Sequence, residues 1–170
     1  SGGEVGAKAA SLTIMCGADD ALFAQLEPLL GLMGRSVTLV GTCGAGQTAK
    51  VANQLIVAAN ITAVAEAMSL AASSGVDPAR VRQALMGGFA SSRVLEVHAQ
   101  RMLDGAFAPG FRIDLHRKDL RLALESAEKT GAAAPLGQVV SSLFDACSTH
   151  GEGQLDHSAV FKELRRQSTG

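Results

Sequence analysis

Cysteine is scarce in this chain. The 170 residues hold three, Cys16, Cys43 and Cys147, odd in number, far apart and without a C-x-x-C pair. That excludes a disulfide framework and a zinc ribbon, and it suits a reducing, cytoplasmic setting. An excess of one charge is missing too: 16 acidic residues balance 15 basic ones for a formal charge of -1, and the basic residues are scattered except for Arg165-Arg166. Nucleic acid is therefore not expected as a partner. No run reaches the roughly 18 uninterrupted apolar residues of a membrane span, because Asn60, Thr62 and Glu66 interrupt the most apolar stretch, so no membrane partner is expected either. The opening Ser1-Gly2-Gly3-Glu4 lacks a basic region followed by an apolar one, and no secretory signal is visible. Internal repeats and low-complexity tracts are absent.

What is present is enough apolar material, 47% of the chain, to bury a sizeable core. The first forty residues and the rest are built differently. Ser11 to Cys16 and Ser36 to Val40 have strand character, and Asp19 or Asp20 can cap a helix between them carrying Leu22, Phe23, Leu26, Leu29 and Leu30. Two strands and one helix cannot cover both faces of a sheet, so this β-α-β unit is expected to be the edge of a larger one. From about Gly46 to Ser74 neither proline nor glycine intervenes, which predicts one long helix, apolar nearly all round and covered on most sides. Gly75 closes it. Further helices are expected over Ala79 to Leu85, Ser92 to Leu103, Asp114 to Thr130, Pro135 to Thr149 and Asp156 to Arg166, with Asp77-Pro78 opening the first of them.

The run from Gly46 to Gln54 puts an ammonium and two amides on one turn of an apolar helix. Side chains three and four positions apart share a face, so Lys50, Asn53 and Gln54 project together. The same spacing suits a snorkelling lysine and two amides satisfying backbone groups, and spacing alone leaves both open. Gly44-Ala45-Gly46-Gln47-Thr48-Ala49 fits a dinucleotide fingerprint after a strand, but the acidic residue about 20 positions on, Glu66, falls in mid-helix instead of at a strand end. The glycines are read as letting the chain turn into the helix. A Walker loop fails because Gln47 stands where its lysine belongs.

Asp156-His157-Ser158 holds the residue types of a hydrolase triad, yet consecutive helical side chains diverge, and Asp156 is better read as an N-cap. His98, His116, His150 and His157 show no metal spacing and are read as surface or helix-terminal residues. Ser1-Gly2-Gly3 can bring backbone N–H groups close to an anion, or is simply a flexible terminus. His116-Arg117-Lys118-Asp119 places a second lysine at a helix start, where a solvated charge run is the plain alternative.

Taken together, Ser1-Gly2-Gly3, the Gly46 to Gln54 run and Phe111 to Leu120 match the β-hydroxyacid dehydrogenase family in order and spacing, and the chain resembles that family along essentially its whole length. Gly87 to Arg93 and Gly153 to Ser158 are similar to the branch that reduces a small 2-hydroxy-3-oxo acid. The branch acting on 3-hydroxyisobutyrate shares the lysine helix and is the nearest rival. The resemblance implies a mainly α chain: an all-helical C-terminal domain preceded by a β-α-β remnant of a Rossmann domain edge. Residues 1–42 would be that remnant, 43–74 the long interdomain helix, and 75–170 the rest of the helical domain.

It further implies Lys50 as the catalytic lysine, Ser1, Gly2 and Gly3 as holders of the substrate carboxylate, Asn53 as an orienting residue, and Lys118 beside the nicotinamide end of an NAD or NADP cofactor. Most of the cofactor site would lie outside this chain, which alone is expected to be inactive. Metal is not expected. Packing of helical domains between subunits would make the protein a homo-oligomer.

Overall fold

A computed structural model describes residues 1–168. The chain divides into two compact units, Ser1–Asn53 and the part from Gln54 onward, and the division falls inside a single continuous helix.

In the first unit a six-residue helix, α1 (Gly3–Lys8), precedes strand β1 (Leu12–Gly17). That helix was not expected, since the opening residues read only as a glycine turn. Helix α2 (Asp20–Leu30) follows, with the Asp19 carboxylate accepting from the Leu22 N–H at 2.8 Å, and strand β2 (Gly34–Gly41) completes a parallel two-stranded sheet. Its register pairs Ile14 with Val37 and Cys16 with Leu39. Helix α3 (Ala45–Ser73) begins here, and two glycines allow its first turn to lie against the end of β1. A Cβ on Gly46 would stand within 3.1 Å of the Gly17 nitrogen and closer still to the Met15 carbonyl, while one on Gly17 would sit 2.6 Å from the Thr42 oxygen. Neither position admits a side chain, which explains the glycines by packing.

The second unit is helical: α3 from Gln54, α4 (Pro78–Leu85), α5 (Arg93–Leu103), α6 (Ile113–Thr130), α7 (Pro135–Thr149), a 3-10 turn (His157–Ala159) and α8 (Val160–Ser168). The caps follow from chemistry. Asp77 accepts from the Ala79 N–H with Pro78 in the first turn, Ser92 Oγ accepts from the Leu95 N–H, and Gly131 closes α6 in the left-handed region at φ 72°. Asp156 caps the 3-10 turn, so the last helix starts four residues later than expected.

Ala58, Ile61, Ala65 and Met68 form the buried stripe of α3, packed with Leu95, Ala99 and Met102, Ile113 and Leu120, and Val140, Phe144 and Cys147. The cover on α3 is less complete than its composition suggests, since Ile56 and Leu70 are mostly exposed. By length and composition alone α3 could cross a membrane, but it carries buried Gln54, Thr62 and Ser69 and serves as the core helix of this unit. Cys147 is wholly buried; burial first, then the charges of Glu152 and Glu163, push its thiol up to about 12.

Candidate functional site

The expected site residues fall into both units. In the first, Ser1 is clipped to β1: its amino group donates to the Thr13 carbonyl at 2.7 Å and its own carbonyl accepts from the Thr13 N–H at 2.8 Å. Gly2 at φ 129° and Gly3 at φ 62° then turn the chain into α1, in backbone regions that a side chain would strain. This fixes an exposed Ser-Gly-Gly turn whose following N–H groups, as in any first helical turn, have no intrahelical acceptor. Lys50 lies half-buried on α3 with Asn53 one turn on. The positive charge of Lys50 is felt at the Ser1 nitrogen. Ser1 and Lys50 therefore share one electrostatic neighbourhood.

In the second unit Lys118 is half-exposed on α6, its Nζ 2.9 Å from Asp119 Oδ1. It lines an open cleft of about 780 Å³ along α6 and α7 with Arg117, Arg121, Gln138 and Asp145. Arg117 is committed to Asp145 and Asp114, and with Glu125 and Glu128 the lining holds more acidic than basic groups. The other oxygen of Asp119 accepts from the buried amide of Gln54 at 2.7 Å. Gln54 is one of the amides the spacing brought to the Lys50 face; its partner 65 positions away left no trace in the local pattern.

Two of the four histidines depart from their expected placement, while His150 keeps it, exposed at the end of α7. His116 is fully buried and His157 nearly so, because each finds polar partners inside the core. His116 Nε2 lies 3.0 Å from the Gln54 carbonyl, which can only accept, so this nitrogen carries a hydrogen. Its Nδ1 meets His157 Nδ1 at 3.0 Å, and Phe111 and Phe144 stand edge-on to the ring. Burial, reinforced by the neighbouring His116, lowers the His157 pKa to about 3 and keeps it neutral. No hydrolase relay forms: His157 Nδ1 is engaged by His116, and Ser158 Oγ donates to Asp156 Oδ1 at 2.6 Å.

His98, Asp156 and His157 bring ligand atoms within 4.8 Å of one another, close enough for a metal ion. The carboxylate is already committed. Its Oδ2 accepts from the Gly110 and Phe111 N–H groups and from Arg101 at 2.8 Å, and its Oδ1 from the Ser158 N–H and hydroxyl. Burial alone would raise its pKa, but His98, Ser158 and His157 outweigh that and hold it strongly ionised. An ion would have to displace Ser158 beside a guanidinium, so Asp156 is an organiser of the 108–112 and 156–158 backbone.

Sequence comparison supplies the family. The family described as NAD-binding of NADP-dependent 3-hydroxyisobutyrate dehydrogenase matches residues 44–164, and the NAD binding domain of 6-phosphogluconate dehydrogenase matches residues 1–41. The chain belongs to the β-hydroxyacid dehydrogenase family. It is 55% identical to the 2-hydroxy-3-oxopropionate reductase of Escherichia coli, over 96% of this chain and 56% of that protein. It is 32% identical to the 3-hydroxyisobutyrate dehydrogenase of Pseudomonas aeruginosa, over 100% of this chain and 59% of that protein. Among solved structures, the Mycobacterium tuberculosis 3-hydroxyisobutyrate dehydrogenase with L-serine superimposes at a TM-score of 0.89 and 33% identity, covering 97% of this chain and 59% of that one. The chain thus spans little more than half the length of the relatives it matches.

Proposed function

We propose that this chain carries the catalytic lysine and the helical domain of an NAD(P)-dependent reductase that converts 2-hydroxy-3-oxopropionate to glycerate. The observation that carries the substrate assignment is the 55% identity to the Escherichia coli enzyme across 96% of the chain. On this reading residues 1–42 belong to the nucleotide-binding part, 43–74 form the helix that leaves it, and 75–170 complete the helical domain. The scarcity of cysteine fits a cytoplasmic enzyme.

The bound dinucleotide would supply hydride to the aldehyde carbon. Lys50 would give its proton to the carbonyl oxygen as negative charge develops there; a lysine with an ordinary pKa of about 10.4 holds that proton near neutrality. Ser1 and the Gly2-Gly3 turn would hold the substrate carboxylate with a hydroxyl and backbone N–H groups, an arrangement that the positive charge of Lys50 at Ser1 favours electrostatically. Asn53, one turn from Lys50, would orient the substrate hydroxyl. The half-exposed ammonium of Lys118 is available to the cofactor from an open cleft, which fits a contact at its nicotinamide end.

The second reading is a 3-hydroxyisobutyrate dehydrogenase, favoured by the TM-score of 0.89 with the Mycobacterium tuberculosis enzyme. Steady-state turnover by the full-length protein, with each acid and each of NADH and NADPH or their oxidised forms, decides. Faster kcat/KM with 2-hydroxy-3-oxopropionate is expected; a preference for 3-hydroxyisobutyrate overturns the first reading.

A further inference from the structure

We infer that Gln54 is a positioning residue for Lys118, acting through the Asp119 carboxylate, with His116 fixing Gln54 in turn. The inference rests on the reading of Lys118 as a cofactor contact. Lys118 is a four-carbon stem with a half-exposed ammonium, a group that ordinarily samples many rotamers. Here one carboxylate restrains it. Asp119 is buried, with Oδ1 2.9 Å from the ammonium and Oδ2 2.7 Å from the Gln54 amide nitrogen. The amide hydrogen bond sets the plane of the carboxylate and so the place where the ammonium rests.

Gln54 is itself held at two points. Its side chain ends on Asp119, and its main-chain carbonyl accepts from His116 Nε2 at 3.0 Å. His116 and Asp119 stand three positions apart on one face of α6, so both meet the same residue of α3. His157 closes the far side of the His116 ring at 3.0 Å and leaves it one orientation. The lock is buried, whereas the group it aims is open to solvent, the division expected of a reactive side chain backed by a rigid shell.

The test is a double-mutant cycle in the full-length protein. Gln54→Met keeps the length of the side chain and removes its donor. We expect it to raise the dinucleotide KM about threefold to tenfold, in line with loss of one charge-assisted hydrogen bond used for orientation, while kcat and the KM for the acid change less than about twofold. Lys118→Ala should raise the same KM, and the double variant should be no worse than Lys118→Ala alone. A silent Lys118→Ala shows that the cofactor role of Lys118 is wrong and removes the inference with it. A dinucleotide KM that rises in Lys118→Ala but not in Gln54→Met, or effects that multiply in the double variant, overturns the positioning role alone. Far-UV circular dichroism checks the fold. If Gln54→Met does not fold, Asp119→Asn, which keeps the side-chain shape and removes the charge that holds Lys118, must give the same KM rise for the inference to stand.

Discussion

The two units bury their apolar residues to very different degrees. In Ser1–Asn53 only Gly6 and Gly34 are buried, and Leu22, Leu26, Leu29, Leu32 and Met33 are 40–72% exposed. The helical unit encloses Phe144, Ile61, Met68, Leu95, Ile113 and Leu120 almost completely, together with a satisfied network of buried polar groups. A parallel pair of strands with one crossover helix has too little surface to make a core, whereas the six helical segments that follow α3 among the described residues make one with it readily. The difference teaches where precision resides. The first unit carries the proposed proton donor on the first turns of a helix whose remaining length is anchored in the second unit's core.

Core substitutions should separate the units most sharply. Phe144→Ala is expected to lose about 3–5 kcal/mol in chemical denaturation, and Leu32→Ala, which is 72% exposed, less than about 0.5 kcal/mol. Comparable losses would mean that the first unit has a core of its own. Catalysis should show the reverse dependence. In the full-length protein Lys50→Ala should lower kcat by about two orders of magnitude, and Lys50→Arg should recover little because a guanidinium does not release its proton. Near-normal turnover in either variant removes Lys50 from the chemistry. The chain by itself should show no binding of NADH or NADPH in a calorimetric titration, and micromolar affinity would contradict that.

Acid should also act first on the helical unit. His157 is held neutral with a pKa lowered to about 3 from an ordinary 6.5, so the unfolded chain binds the extra proton between those values. The contribution is intact above about pH 6.5 and is lost as pH falls toward 3. Glu152 adds to this at lower pH: hydrogen bonds from Arg166, working against burial, hold its carboxyl below the ordinary range. For Glu163 burial pushes upward, but Arg166, Gln167 and His150 prevail, so it too loses stabilising contacts on protonation. Thermal melts from pH 8 to 3 should show this decline, and His157→Gln should flatten its upper part. A melting temperature insensitive to pH over that range would refute the account. The smallest expected signal is association: the exposed Ile56 and Leu70 on α3 suggest a dimer by light scattering, and a monomer at all micromolar concentrations would argue against it.

The strands, the length of α3 and most helix boundaries were legible in the sequence because they depend on local periodicity and on caps such as Asp19, Ser92 and Gly131. The Ser-Gly-Gly turn and the Lys50 helix were legible as motifs. Helix α1 was not, since Gly2 and Gly3 hide the start of a helix that lasts only six residues. The burial of His116 and His157 was not either. Imidazole gives no hydropathy signal, and what draws these two inward is each other, 41 positions apart, and a carbonyl on α3 62 positions away. Asp119 was hidden in the same way, read as one charge in a run when its partner was a distant amide.

The thiols give the contrast between the units a clock. The thiolate adds to the maleimide double bond, and Cys43 lies exposed at the turn before α3, where reagent can reach it at once. Cys147 is sealed on the buried face of α7 with its proton held tightly, so it should be alkylated only during the intervals when the helical unit opens. Half-buried Cys16 should react between the two, so a third mass increment, timed against the first two, would report how often the helical unit opens, with neither mutation nor denaturant.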